Sequence, residues 1–305
     1  MTTRLIINAD DFGLTPGINR AIAQLHEAGA LTSATLMATG SAFDDAVAIA
    51  HAHPTLGIGC HIVLTDGIPV SPPQSIPTLL GADGKTFRPS LIDFVQALIR
   101  GTISEDDIER EALAQIQKLQ RAGINLTHID THKHTHLFPA VSRPLLRLAH
   151  QYSIGAIRNP FEPAFTHELR HAALKRRLQL AVLRTLGSKF TQHGQIRNAH
   201  VLTTDGTLGI SATGNVTLTA LTEILAALPS GGTYEIVCHP GYNDADLDRI
   251  RTRLRAHREV EMQALLQAIP KILSQPNSSK LIHYGNLGAF AARREDGQFT
   301  PDTGY

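Results

Sequence analysis

The chain has 305 residues, 42% of them hydrophobic, and 28 Lys and Arg against 27 Asp and Glu give a formal charge of +1. A charge so balanced excludes the whole-protein field that would recruit nucleic acid or an anionic membrane, and no stretch approaches the ~20 apolar residues of a membrane span. The opening MTTRLIINADDFG meets acidic residues too early for a signal peptide, and Cys60 and Cys238 are too few for a disulfide framework, so the sequence reads as a protein of a reducing cytoplasm.

In chain order, β-rich runs alternate with helical patterns. Strands are predicted at RLIINA (4–9), SATLMA (33–38), LGIGCHIV (56–63), NLTHID (125–130), GAIRN (155–159), AHVLTT (199–204), TYEIVC (233–238) and KLIHYG (280–285). Thr15 and Pro16 open a helix that closes at Gly29. Ser41 with Asp44 reads as a capping box, and so does Ser104 with Asp107, whose helix closes at Gly123. A long polar helix is expected from about Asp244 to Ala268, ahead of Pro270. Strand and helix in alternation predict an α/β fold with a parallel sheet and helices outside it, closed as a barrel or doubly wound. Two segments interrupt the rhythm. Residues 66–90, rich in proline, glycine and serine, read as a long ordered loop over one mouth of the sheet. Residues 160–198 carry a basic helical run, THELRHAALKRRLQLAVLRTLGSKF, which fits a solvated helix face, a lid, a dimer contact or a surface for lipid or polyanionic substrate.

The polar residues fall in a pattern. Asp10 and Asp11 follow the first strand, His61 lies near the end of the third, Asp130 and His132 follow the fourth, Arg158 ends the fifth, and His239 follows TYEIVC. The C-terminal mouth of a (β/α) barrel is where side chains from several strand ends assemble a site. HIDTHKHTH (128–136) adds four histidines and an aspartate at every second position. One metal ion cannot use five such neighbours, so the strand is expected to end near Asp130, with the later histidines in a loop. Plainer roles exist for each: turn acids ahead of Gly13 for Asp10 and Asp11, a backbone-bonded core or turn position for His61 and His239, an ordinary ion pair for Arg158. Cys60 and Cys238 each precede a histidine, and alternation turns their thiols toward the helical layer. Neither GxSxG, nor a P-loop, nor GxGxxG occurs. A mixed His and carboxylate site with an open position suits metal-assisted hydrolysis of an amide or ester. A phosphoesterase and a non-catalytic sugar-binding barrel are the alternatives.

NADDFGLTPGIN, GCHIVLTDG, THIDTHKHTHLFP and CHPGY, in this order, resemble the YdjC-like carbohydrate deacetylases, over residues 4 to about 159 and again over 233–285. The resemblance implies a distorted TIM-like barrel; it does not extend to residues 160–198, whose own pattern reads as a helical insertion or lid on a single 1–305 domain. It implies a divalent-metal N-deacetylase acting on a small-molecule acetamido sugar built of N-acetylglucosamine, chitooligosaccharide-like or lipid-linked. Carried over by residue, it implies Asp11, His61 and His132 as metal ligands, Asp10 as general base and His239 as general acid. Arg158 then orients Asp10 and holds it ionised, Asp130 orients an imidazole, and His134 and His136 line the sugar pocket. Ligand type favours zinc, cobalt or nickel, with magnesium as the alternative that family members carry. The loop IPVSPPQSIPTLLGADGKTF and RNPFEP look closer to hopanoid-associated deacetylases, whereas DTHKHTHLFP is similar to the chitooligosaccharide type, which leaves the substrate open. A homodimer through the 160–198 helices is one assembly the reading admits.

Overall fold

A computed structural model describes residues 2–163, 165–166, 201–274 and 279–289. The elements are β1 (Arg4–Phe12), α1 (Pro16–Glu27), β2 (Ser33–Leu36), α2 (Phe43–Ala52), β3 (Gly57–Ile62), α3 (Leu91–Ile99), α4 (Glu105–Arg121), β4 (His128–Thr131), α5 (Pro139–Gln151), β5 (Ala156–Ile157), β6 (Gly206–Leu208), α6 (Leu218–Ala226), β7 (Thr233–Cys238), α7 (Ala245–Asp248), α8 (Ala256–Leu273) and β8 (Lys280–Leu281). All strand pairs are parallel, in the order β5-β4-β3-β2-β1-β7-β6, with β8 on the early half of β1. A one-residue bridge from Ala156 to Leu202, four residues ahead of β6, links the two ends. The fold is therefore α/β, a distorted TIM-like barrel.

Each helix lays an apolar stripe on the sheet. On α1, Ile18, Ala21, Ile22 and Leu25 are buried at helical spacing. The Thr15 hydroxyl accepts the Ile18 N–H at its start, and Gly29, at φ +69°, turns the chain away at its end. Both cysteines lie in the apolar core between sheet and helices. On α4 the stripe includes polar residues that order the loop after β3. Gln115 clasps the Val63 backbone, accepting its N–H at 2.9 Å and donating to its carbonyl at 2.7 Å. Glu111 accepts the Val70 and Ser71 N–H groups, and Asp107 accepts from Thr78. A loop built this way satisfies its own backbone groups without a strand.

Several expectations need correction. Residues 199 and 200 lie outside the described residues; within 201–204 no ladder forms beyond Leu202, and the strand beside β7 is 206–208 instead, where the Thr207 hydroxyl lies 2.6 Å from Asn159 O and 3.0 Å from Glu235 Oε2. The segment 280–285 is a strand only at Lys280–Leu281; His283 and Asn286 then close a capping box around a short 3₁₀ turn. Ser41 and Asp44 form no capping box, because Ala42 is the N-cap and the Ser41 hydroxyl donates to Leu14 O. Ser104 does cap α4, accepting from Asp106, but Asp107 turns to Thr78 and Arg110. The long polar helix is broken between Asp248 and Ala256, and its second part runs on through Pro270. Most of the basic run at 160–198 falls within residues 167–200, outside the described residues. Among the described residues, no helix is long and apolar enough to cross a membrane.

Candidate metal and catalytic site

At the C-terminal end of β1, Asp10 and Asp11 both reach the barrel mouth, although neighbours on a regular strand point to opposite faces. A break in register between Ala9 and Phe12 and a left-handed Asp11, at φ +64°, make this possible. Aspartate is among the few side chains that tolerate this conformation, and bulges commonly re-aim side chains beside sites. Both carboxylates are buried.

Asp11 Oδ1 lies 3.7 Å from His61 Nε2 and 3.5 Å from His132 Nδ1. The three groups bring one ligand atom each within 4.8 Å of one another. Asp11 Oδ1 is buried without a hydrogen-bond partner, whereas buried carboxylate oxygens ordinarily have one. A divalent cation would satisfy it, and two imidazoles with one carboxylate are a donor set that fits such an ion. His61 presents Nε2 because its Nδ1 is fixed 2.8 Å from Asp130 Oδ1, the arrangement that orients metal-binding imidazoles. Desolvation opposes charge on His61, but Asp130, Asp10 and Asp11 overcome it and raise its pKa to about 9. His132 is lowered by burial and by the neighbouring His61, against the pull of Asp11.

His132 owes its place to the end of the period-two pattern. After Thr131 the chain enters a 3₁₀ turn in which Lys133 and His134 are left-handed, and the Thr131 hydroxyl closes the turn by accepting the His136 N–H at 3.0 Å. The turn separates the remaining histidines. His134 is half-buried, its pKa lowered to about 3 by desolvation and then by Arg158. His136 is fully buried, with Nδ1 2.6 Å from the Thr131 hydroxyl, so it supports the turn from beneath and presents no surface to a pocket. His128, at the start of β4, stacks on Tyr284 with ring centroids 3.8 Å apart.

Asp10 is held by Arg158, with Nη1 2.9 Å from Oδ2 and Nη2 2.7 Å from Oδ1. Burial alone would raise the Asp10 pKa, but the guanidinium, joined by His61, holds it well below the usual carboxylate range. The same guanidinium pairs with Asp130 and Glu235. Asp10, His61 and Asp130 also converge, but Arg158 already supplies the cation there, so Asp11, His61 and His132 form the group left for a metal. His239, one residue past β7, sets Nε2 3.8 Å from Asp10 Oδ2 and Nδ1 3.9 Å from Glu261 Oε2, which also accepts the His239 N–H at 2.6 Å.

Three buried charges escaped the sequence reading. Arg258 donates from Nη2 to Asp11 Oδ2 at 2.6 Å, Glu261 braces His239, and Glu235 takes Arg158 and the Tyr284 hydroxyl. Glu235 offered a signal, as a lone charge inside an apolar parallel strand. Glu261 and Arg258 share one face of α8 at i, i+3.

The barrel mouth thus gathers paired aspartates, two converging imidazoles and His239, a donor set that could hold a metal ion. The chain belongs to the YdjC-like protein family, whose sequence profile matches residues 4–272. It is 32% identical over 285 residues to a carbohydrate deacetylase of Brevibacillus brevis, covering 93% of this chain and 100% of that protein. It is 31% identical over 242 residues to a carbohydrate deacetylase of Geobacillus stearothermophilus, covering 79% and 81%. A crystal structure from Enterococcus faecalis V583, described provisionally as a cellobiose-phosphate cleavage protein, aligns with a TM-score of 0.72 at 26% identity, over 94% of this chain and 99% of that one.

Proposed function

We propose that this protein is a divalent-metal-dependent carbohydrate N-deacetylase, a hydrolase that removes acetate from an N-acetylglucosamine-containing sugar, chitooligosaccharide-like or lipid-linked. The observation that carries the reading is Asp11 Oδ1, buried and unpartnered between His61 and His132, with Asp10 and His239 beside it. The family and its carbohydrate deacetylases support it.

Asp11, His61 and His132 would hold a divalent ion, by donor type zinc, cobalt or nickel, with magnesium as the alternative. Such an ion would supply Lewis acidity at the acetamide carbonyl and at a water. Asp10 takes the proton from the attacking water. Arg158 holds Asp10 in its ionised form, ready to accept that proton. The water oxygen bonds to the acetyl carbon, the C–N bond breaks, and His239 gives a proton to the departing nitrogen, leaving acetate and a free amine. Asp130 keeps the His61 imidazole aimed, Glu261 holds the His239 backbone by accepting its N–H, and His134 borders the sugar. The chain works as one barrel domain, in the cytoplasm.

His132→Ala tests the reading. It is expected to abolish both metal content and acetate release from N-acetylated glucosamine oligomers, and acetate release at the wild-type rate would overturn it. Release of inorganic phosphate from phosphate esters, without acetate from acetamido sugars, would point to a phosphoesterase.

A further inference from the structure

The first turn of α8 follows an arginine-rich stretch in which Arg249, Arg251 and Arg253 are exposed, yet Arg258 is buried at 1% exposure. Its guanidinium is divided three ways: Nε donates to Leu254 O at 3.1 Å, Nη1 to His239 O at 3.5 Å, and Nη2 to Asp11 Oδ2 at 2.6 Å. The CHPGY turn is shaped around this side chain. A Cβ on Gly241 would stand 2.8 Å from Ile18 Cγ1 and 3.1 Å from Arg258 Cδ. Asp11 is thus asymmetric: Oδ2 is spent on Arg258, and only Oδ1 faces His61 and His132.

We propose that Arg258 is a positioning residue that confines Asp11 to one ligand oxygen and draws off part of its negative charge. This rests on the reading of Asp11, His61 and His132 as metal ligands. A free carboxylate can bind a cation through both oxygens, and the second oxygen takes a coordination position that a catalytic site keeps open for water and substrate. A carboxylate that shares its charge with a guanidinium also donates less to the ion, which stays a stronger Lewis acid. Arginine suits the task because its planar fork serves three acceptors at once and does not lose its proton.

The test compares full-length wild type, Arg258→Met and Arg258→Lys, each titrated with Co²⁺ after chelation, by affinity, by visible absorption of the bound cobalt and by apo Tm. Arg258→Met is expected to bind Co²⁺ no more weakly than wild type, because a cation beside the ion has gone. Its cobalt bands are expected to lose intensity as Asp11 adds a ligand, and acetate release to fall about 10- to 100-fold, the usual range for a residue that orients a metal ligand. Arg258→Lys keeps the charge without the fork and is expected to lie between the two, and it carries the comparison if the Met variant fails to fold. A cobalt affinity that drops together with Tm, while the bound cobalt keeps the wild-type spectrum, would make Arg258 purely structural and overturn the proposal; so would wild-type acetate release by Arg258→Met. Wild type that releases acetate at its full rate after chelation, with no divalent ion bound by elemental analysis, would overturn the metal reading itself, a result visible without any variant.

Discussion

The Arg158 guanidinium grips both carboxylate oxygens of Asp10, at 2.7 and 2.9 Å, and is at the same time the buried counter-ion of Asp130 and Glu235. The guanidinium therefore touches three carboxylates out of reach of water, two of which, Asp130 and Asp10, also face His61. Breaking a buried ion pair by removing one partner costs about 3–5 kcal/mol, so Arg158→Met is expected to lose at least that from the stability read by urea denaturation. Arg158→Lys restores the charge but cannot make the paired contacts, and is expected to recover only part of the loss. A midpoint unchanged in Arg158→Met would mean that the carboxylates are neutral when buried.

Asp10 and Asp11 are neighbours with different surroundings, and their roles separate on that ground. Asp10→Asn keeps the size of the side chain and leaves Asp11, His61 and His132 untouched. It is expected to retain its metal, measured by elemental analysis, while acetate release falls by about 10² or more, the scale of a general base. If Asp10→Asn loses its metal instead, the roles assigned to the two aspartates are exchanged.

What the sequence made legible was the part of the site that lies at strand ends. Apolar runs such as RLIINA and TYEIVC mark their strands by composition, so the order of residues alone puts Asp10, Asp11 and His239 at the mouth. The aspartates nonetheless belong to β1 itself, and the left-handed Asp11 that aims both at the mouth leaves no trace in a period-two pattern. HIDTHKHTH showed its richness but not its turn, since the left-handed Lys133 and His134 depend on tertiary contacts such as Lys133 Nζ to Asp66 Oδ2 at 3.0 Å. Arg258 was hidden for another reason. Five arginines between 249 and 258 look alike in sequence, and which of them is buried depends on where α8 restarts after the break at Asp248.

Gly59 is a packing requirement inside β3. A Cβ there would lie 2.5 Å from the His128 imidazole, and that ring cannot retreat because it is stacked on Tyr284 and lies 3.2 Å from Asn8 Oδ1 through Nε2. Overpacking of this kind costs about 1–3 kcal/mol. Gly59→Ala is expected to lower the stability read by urea denaturation by that amount while leaving metal content intact, because His61 is two residues further on and held by Asp130. A variant as stable as wild type would show that the His128–Tyr284 stack yields easily.

The metal-free protein is expected to be most stable near neutral pH, and each side of the optimum has its own cause. Burial lowers the pKa of His128, His132, His134 and His136 in the folded chain, whereas in the unfolded chain each titrates near 6.5. Below about pH 6.5 the unfolded state binds protons that the folded state refuses, so stability falls on acidification, by up to about 1.4 kcal/mol per pH unit for each group. His61 has the opposite sign: although desolvation lowers it, Asp130 and Asp10 lift it to about 9, so its contribution is complete below about pH 6.5 and is lost as pH rises through 9. His283, lowered by burial, joins the acid side, and His53, raised by its hydrogen bonds to the Ile49 carbonyl and Glu27, joins His61 on the alkaline side, so among the shifted imidazoles five act on acidification against two. Tm measured in chelator is therefore expected to drop further from pH 7 to 5 than from pH 7 to 9, and His134→Gln is expected to flatten the acid limb. Metal uptake at pH 7 has to displace the proton on His61, releasing about one proton per ion, which an indicator dye in weak buffer records. A Tm that rises from pH 7 to 5, or uptake without proton release, would mean that these imidazoles are not held as their burial and neighbours require.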